Sequence, residues 1–180
     1  MGRPIPGVDN LSNVIAFRRD FASGHQSAKL SMSALPTSLQ DVLANWFDLV
    51  SGDLGDDAEL MATMMERTGI VGGHALAIST ARSNDPKRWR LLHLPEWMAD
   101  ELSLTPAKTV FEQFLNSPFL EAVLDQMILC QISGRPAAVK FFGPGARDHY
   151  AYSTVFLPVT SDIGEPIVML VGVSVDVVPG

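Results

Sequence analysis

The chain has 180 residues with 13 Lys and Arg against 20 Asp and Glu, a formal net charge of −7. That balance argues against a nucleic-acid backbone or an anionic membrane as the main partner, because both need a basic footprint. With 47% hydrophobic and 18% charged residues, the chain suits one domain with a full core and not a disordered one. A single cysteine, Cys130, rules out an internal disulfide or a multi-cysteine metal site and fits a reducing, cytoplasmic compartment. No apolar run approaches the about 20 residues of a membrane helix, and the first residues lack a charged-then-apolar signal pattern.

Residues 1–35 are broken up by Gly2, Pro4, Pro6, Gly7, Ser23, Gly24 and Ser27 and read as a flexible or docking tail. Within it, 13–22 offers a short helix with Val14, Phe17 and Phe21 near one face. Residues 36–70 read as a helical lead-in. Leu39, Val42, Leu43, Trp46 and Val50 fall at helical spacing over 37–51, with Pro36 before them and Gly52 after. An acidic turn over 53–57 then caps a second helix running to Thr68, with Leu60, Met61, Met64 and Met65 inward. Together the two make a helical hairpin.

Residues 71–178 form the main domain. A strand over 74–80 alternates Leu76 and Ile78, and Ser83-Asn84-Asp85-Pro86 is a strong turn. The segment 89–94 pairs back as a second strand. Short helices follow over 96–102 and from Thr105 to Leu115. Asn116-Ser117-Pro118 then starts a longer helix, with a capping side chain followed by proline at the first helical position. Phe119, Leu120, Val123, Leu124, Met127 and Ile128 give it an apolar face, and Gly134 closes it. Three β-rich segments finish the chain, over 137–142, 150–159 and 167–175. Runs of one element type followed by runs of another indicate an α+β fold with an antiparallel sheet.

That order, two strands, short helices, a longer helix and three closing strands, resembles the PAS domain. More narrowly it is similar to alphaproteobacterial PAS-like proteins with a helical lead-in. Trp46, the segment Trp89-Arg90-Leu91-Leu92-His93-Leu94, Gly134-Arg135-Pro136, and the strand 152–158 followed by Ser161-Asp162-Ile163-Gly164 carry the likeness. The resemblance implies a five-stranded antiparallel sheet with helices on one face, preceded by an N-terminal helical segment. Two places depart from those relatives. The segment after the lead-in helix is acidic where they are basic, and Pro95-Glu96-Trp97 stands where they often carry glycine on the passage from strand to helix.

The residues offer no catalytic signature. Cys130 lacks the motif of a flavin-photosensor PAS domain and reads as a small apolar side chain. The resemblance would place a haem ligand on the long helix, but His25, His74, His93 and His149 all lie elsewhere. On strand alternation His93 faces opposite to Leu92 and Leu94. No pair has metal-ligand spacing, and no Gly-x-Ser-x-Gly elbow occurs. Gly143-Pro144-Gly145 lacks the Lys-Ser/Thr of a phosphate loop and reads as a hairpin connection. The acidic residues Asp53, Asp56, Asp57 and Glu59 lack calcium-loop spacing.

In PAS-like folds the sheet and short helices enclose a cavity. The resemblance makes Trp97, Phe111, Phe114, Met127, Phe142, Tyr152 and Phe156 candidate lining residues, with a filled core as the alternative. Arg135, just past the long helix, is placed either to meet an anionic ligand or to neutralise the helix end.

The expectation is a stand-alone, non-enzymatic sensory or regulatory domain. It acts through contacts with an unidentified protein partner and with itself as a homodimer, and Trp46, Val42 and Val50 are the candidate interface. A small-molecule or cofactor sensor of unknown ligand is the alternative. A small α+β enzyme is a third reading, one that needs two titratable residues converging in the cavity.

Overall fold

The computed structural model describes residues 26–52, 73–106, 108–142, 150–160 and 165–177. The expected helices over 13–22 and from 56 or 57 to 68, the acidic turn, His25, His149, the Gly143-Pro144-Gly145 connection and the 161–164 turn lie outside them.

Six strands form one antiparallel sheet: β1 (Gln26–Lys29), β2 (Ala75–Ser79), β3 (Arg90–His93), β4 (Ala137–Phe142), β5 (Tyr150–Thr160) and β6 (Pro166–Val177), in the spatial order β1-β4-β5-β6-β2-β3. Among the described residues four α-helices accompany it: α1 (Thr37–Val50), α2 (Glu96–Leu102), α3 (Val110–Phe114) and α4 (Pro118–Ser133). The sheet thus has one strand more than the five expected. The added strand lies in the segment read as tail: Gln26 pairs with Phe142 and Lys29 with Val139 on the β4 edge. A 3-10 turn at Met32–Ala34 follows, and Met32 and Leu35 are buried. Residues 26–35 therefore belong to the fold.

The helices α2, α3 and α4 share one face of the sheet, as expected, and α1, from the lead-in segment, covers the other. On one side Leu76, Ile78, Phe141, Tyr152, Phe156, Met169 and Val171 meet α2, α3 and α4 through Met98, Phe114, Phe119, Val123 and Met127. On the other, α1 lays Leu39, Val42, Trp46 and Leu49 on Ala75, Ala77, Ala138, Val155, Leu157, Val159, Val168 and Leu170. Small side chains under α1 let its axis approach closely. Gly172 is the extreme case, because a Cβ built there would stand 2.8 Å from Val155 Cγ1 and 3.0 Å from Leu39 Cδ2.

The α4 helix shows how local chemistry sets an element. The Ser117 hydroxyl accepts from the Leu120 amide at 3.1 Å, Pro118 occupies the first turn, and Gly134 takes the left-handed conformation at φ 66° while its amide bonds to the Cys130 carbonyl. Ser117→Ala is expected to remove about 1 kcal/mol of stability, read as a lower urea midpoint with an unchanged slope.

Proline in a central strand needs an explanation, and Pro158 of β5 has one. The β4 ladder on that side ends at the Ala137–Phe156 pair, so no described strand neighbours Pro158 there. Its carbonyl instead accepts a hydrogen bond from the Trp46 indole Nε1 at 2.9 Å. With no described strand on that side to accept an amide hydrogen, β5 can carry a proline there, and the α1 indole satisfies the carbonyl that a strand would otherwise take.

Candidate functional site

The candidate lining residues fall in and around the interior between the sheet and α2–α4. Phe114, Met127, Tyr152 and Phe156 are brought together there and are fully buried. The Tyr152 ring stacks on Phe119 with centroids 4.4 Å apart, and Phe119 meets Phe141 edge-on at 5.4 Å.

Trp97 and Phe111 lie at the rim, half-buried. The Trp97 indole donates to the Gly73 carbonyl and its ring leans on His74, with centroids 5.9 Å apart. The Lys87 ammonium sits 5.3 Å from the centre of the Phe111 ring.

Phe142 stands apart from this group. Alternation along β4 puts it on the α1 side of the sheet with Ala138 and Lys140, and the Lys140 ammonium lies 5.6 Å from its ring centre.

The candidate interface residues are also placed inside. Val42 is 1% exposed and Trp46 6%, both covered by the sheet of their own chain, while Val50 is half-buried. Val42 and Trp46 hold α1 to the sheet of their own chain.

Several polar features came from contacts that no sequence spacing encodes. The Tyr152 hydroxyl donates to Glu101 Oε1 at 3.1 Å, pairing residues from β5 and α2 at the edge of the interior. Gln113, buried in α3, is fully used: its Nε2 donates to the Lys108 carbonyl at 2.9 Å and its Oε1 accepts from the Thr105 amide. It thereby pins the connection into α3.

Gln131 is only half used. Its Nε2 donates to the Pro166 carbonyl at 2.8 Å, which also accepts from Thr80 Oγ1 at 2.7 Å, but its buried Oε1 has no partner. The Nε2 of His93 is also buried without a partner. Alternation was expected to turn His93 away from Leu92. A register shift between Ala77 and Ile78 intervenes: Ile78 pairs with Leu91 and Ala77 with His93, so Leu92 is skipped as a bulge.

Cys130 is buried, and that burial pushes its thiol up to about 12, with the Gln126 amide at 3.7 Å partly opposing the rise. The thiol is expected to resist a thiol reagent at pH 8 in the folded protein and to react on unfolding. Because the folded-state value lies above the ordinary 9.0, the unfolded chain loses this proton first. Stability should therefore fall as pH rises from 9 toward 12, by up to about 1.4 kcal/mol per unit, and Cys130→Ala should remove that slope. Among the described residues no group of three or more His, Cys, Asp or Glu is arranged to hold a metal ion. No described helix is long and apolar enough to cross a membrane.

No protein-family model matches the chain, and no curated protein matches it. Among solved structures, it is similar to a domain described as part of a light and redox sensing histidine kinase from Haloarcula marismortui. The identity is 13% and the TM-score 0.43, over 62% of this chain and 97% of that one.

Proposed function

We propose that the chain is a PAS-like sensory or regulatory domain without catalytic activity of its own, acting through protein contacts and first of all through contact with a second copy. The element order and the single antiparallel sheet support the PAS-like assignment. The observation that carries the mode of action is the packing of the interior. Phe119 and Tyr152 stack where a cavity would lie, and Phe114, Met127 and Phe156 are fully buried in the same cluster, while large apolar residues remain outside: Leu115 is 47% exposed, Leu129 41% and Ile132 63%. A net charge of −7 supports a protein partner over nucleic acid or membrane, and a cytoplasmic location goes with this reading. Sedimentation velocity across a wide concentration range tests it. A dimer growing in with concentration is the expected result, and a strictly monomeric species at the highest concentration contradicts it.

A second reading, a small-molecule sensor, is favoured by the unpartnered Oε1 of Gln131 and Nε2 of His93. Buried polar atoms without partners are uncommon and mark places where a water, an ion or a ligand atom would be stabilised.

A further inference from the structure

The self-contact proposed above needs a surface, and Val42 and Trp46, first expected to supply one, are buried under the sheet. Among the described residues, two neighbouring surface regions of opposite charge are available, joined where Lys87 lies over the Phe111 ring. One is the segment Arg82 to Arg90, which holds Arg82, Lys87, Arg88 and Arg90 against a single acid, Asp85. It is held rigidly: Trp89 is fully buried with its indole donating to the Ser83 carbonyl at 2.8 Å, and the Asp85 carboxylate accepts from the Lys87 amide at 3.0 Å. Arg88 and Arg90 are exposed.

The other region is α3 and α4. From Val110 to Ser133 there are three carboxylates, Glu112, Glu121 and Asp125, and no basic residue. On α4, Glu121, Asp125, Leu129 and Ile132 follow at helical spacing and share one outward stripe, acidic in its first half and apolar in its second. None of Arg88, Arg90, Glu112 and Glu121 forms an ion pair among the described residues.

We infer that these two regions meet between copies: the Arg88–Arg90 segment of one chain docks on the Glu112, Glu121, Leu129 and Ile132 face of a second, and the contact is returned by symmetry. Charge complementarity selects a second copy as the occupant. With −7 on each chain, long-range repulsion opposes self-association, so a contact requires a local match of this kind. The exposed leucine and isoleucine beside the carboxylates give that contact an apolar part to cover. An isologous arrangement uses both regions twice and closes.

This inference rests on the self-association reading, and charge reversal separates the two. R88E/R90E makes the basic segment acidic, and E112R/E121R makes the acidic face basic. All four positions are exposed, so both proteins should fold. Each variant alone should self-associate about a hundredfold more weakly than the wild type. An equimolar mixture of the two should recover association, seen in native mass spectra as the mixed dimer, because each acidic surface then meets a basic one.

Net charge alone predicts otherwise for E112R/E121R, whose reduced negative charge would strengthen association. A wild-type dimer whose variants dimerise equally well overturns the docking surface and leaves the self-association reading standing. A wild type that stays monomeric overturns both.

Discussion

Replacing Trp46 by alanine is expected to lower stability by about 3–5 kcal/mol, among the largest effects of any single change in this chain. Three losses combine. The indole is 6% exposed, so its apolar surface leaves a cavity between α1 and the sheet. Its Nε1 hydrogen bond to the Pro158 carbonyl disappears, leaving an acceptor in β5 without its protein partner. The anchor that holds α1 over Val155, Leu157 and Val159 goes with it. Trp46→Phe separates these contributions. It keeps most of the ring and removes the donor, so it should cost about 1–3 kcal/mol. Urea unfolding followed by far-ultraviolet circular dichroism gives both numbers. A Trp46→Ala protein with near wild-type stability would show that α1 does not close the second face of the sheet.

Gly172→Val should be nearly as damaging, at about 3 kcal/mol, the upper end of the range for overfilling a packed site. Gly172 sits in β6 between Ala75 of β2 and Val155 of β5, directly beneath α1. The first atom of any side chain meets Val155 Cγ1 at 2.8 Å and Leu39 Cδ2 at 3.0 Å. Valine at 155 is short and β-branched in a strand, so it has little rotamer freedom with which to yield. The reason for glycine here is this close approach. Pairing Gly172→Ala with Val155→Ala tests that reason, because the double variant should be more stable than the sum of the single losses predicts. Strict additivity would point to a backbone cause.

Local signals made much of this fold legible. The α4 helix carries its own start and stop in Ser117, Pro118 and Gly134, and α1 and α2 begin after prolines that their sequences display. The first strand carried no such signal. Gln-Ser-Ala-Lys is neither alternating nor β-branched, and its hydrogen bonds come from β4, more than a hundred residues away in the chain.

The covered second face had left a trace. Val155, Phe156 and Leu157, and then 167–171, are continuous apolar runs, which is how a strand reads when both of its faces are buried. The pattern does not say which element covers that face; the structure puts α1 and Trp46 there. Alternation along β4 likewise separates Phe142, which shares its face with Lys140, from Phe141. The Glu101–Tyr152 pair and the bulge that redirects His93 arise only from tertiary contacts and strand register, which no periodicity carries.

The measurement that bears most directly on a packed interior is native mass spectrometry of the freshly purified protein, with an absorption spectrum of the same sample. The expected result is the bare chain mass, present as monomer and dimer, and no absorption beyond that of the aromatic residues. Extra mass that is lost on denaturation, or a visible absorption band, would contradict it and make the orphaned Gln131 and His93 atoms the first places to look for the bound group.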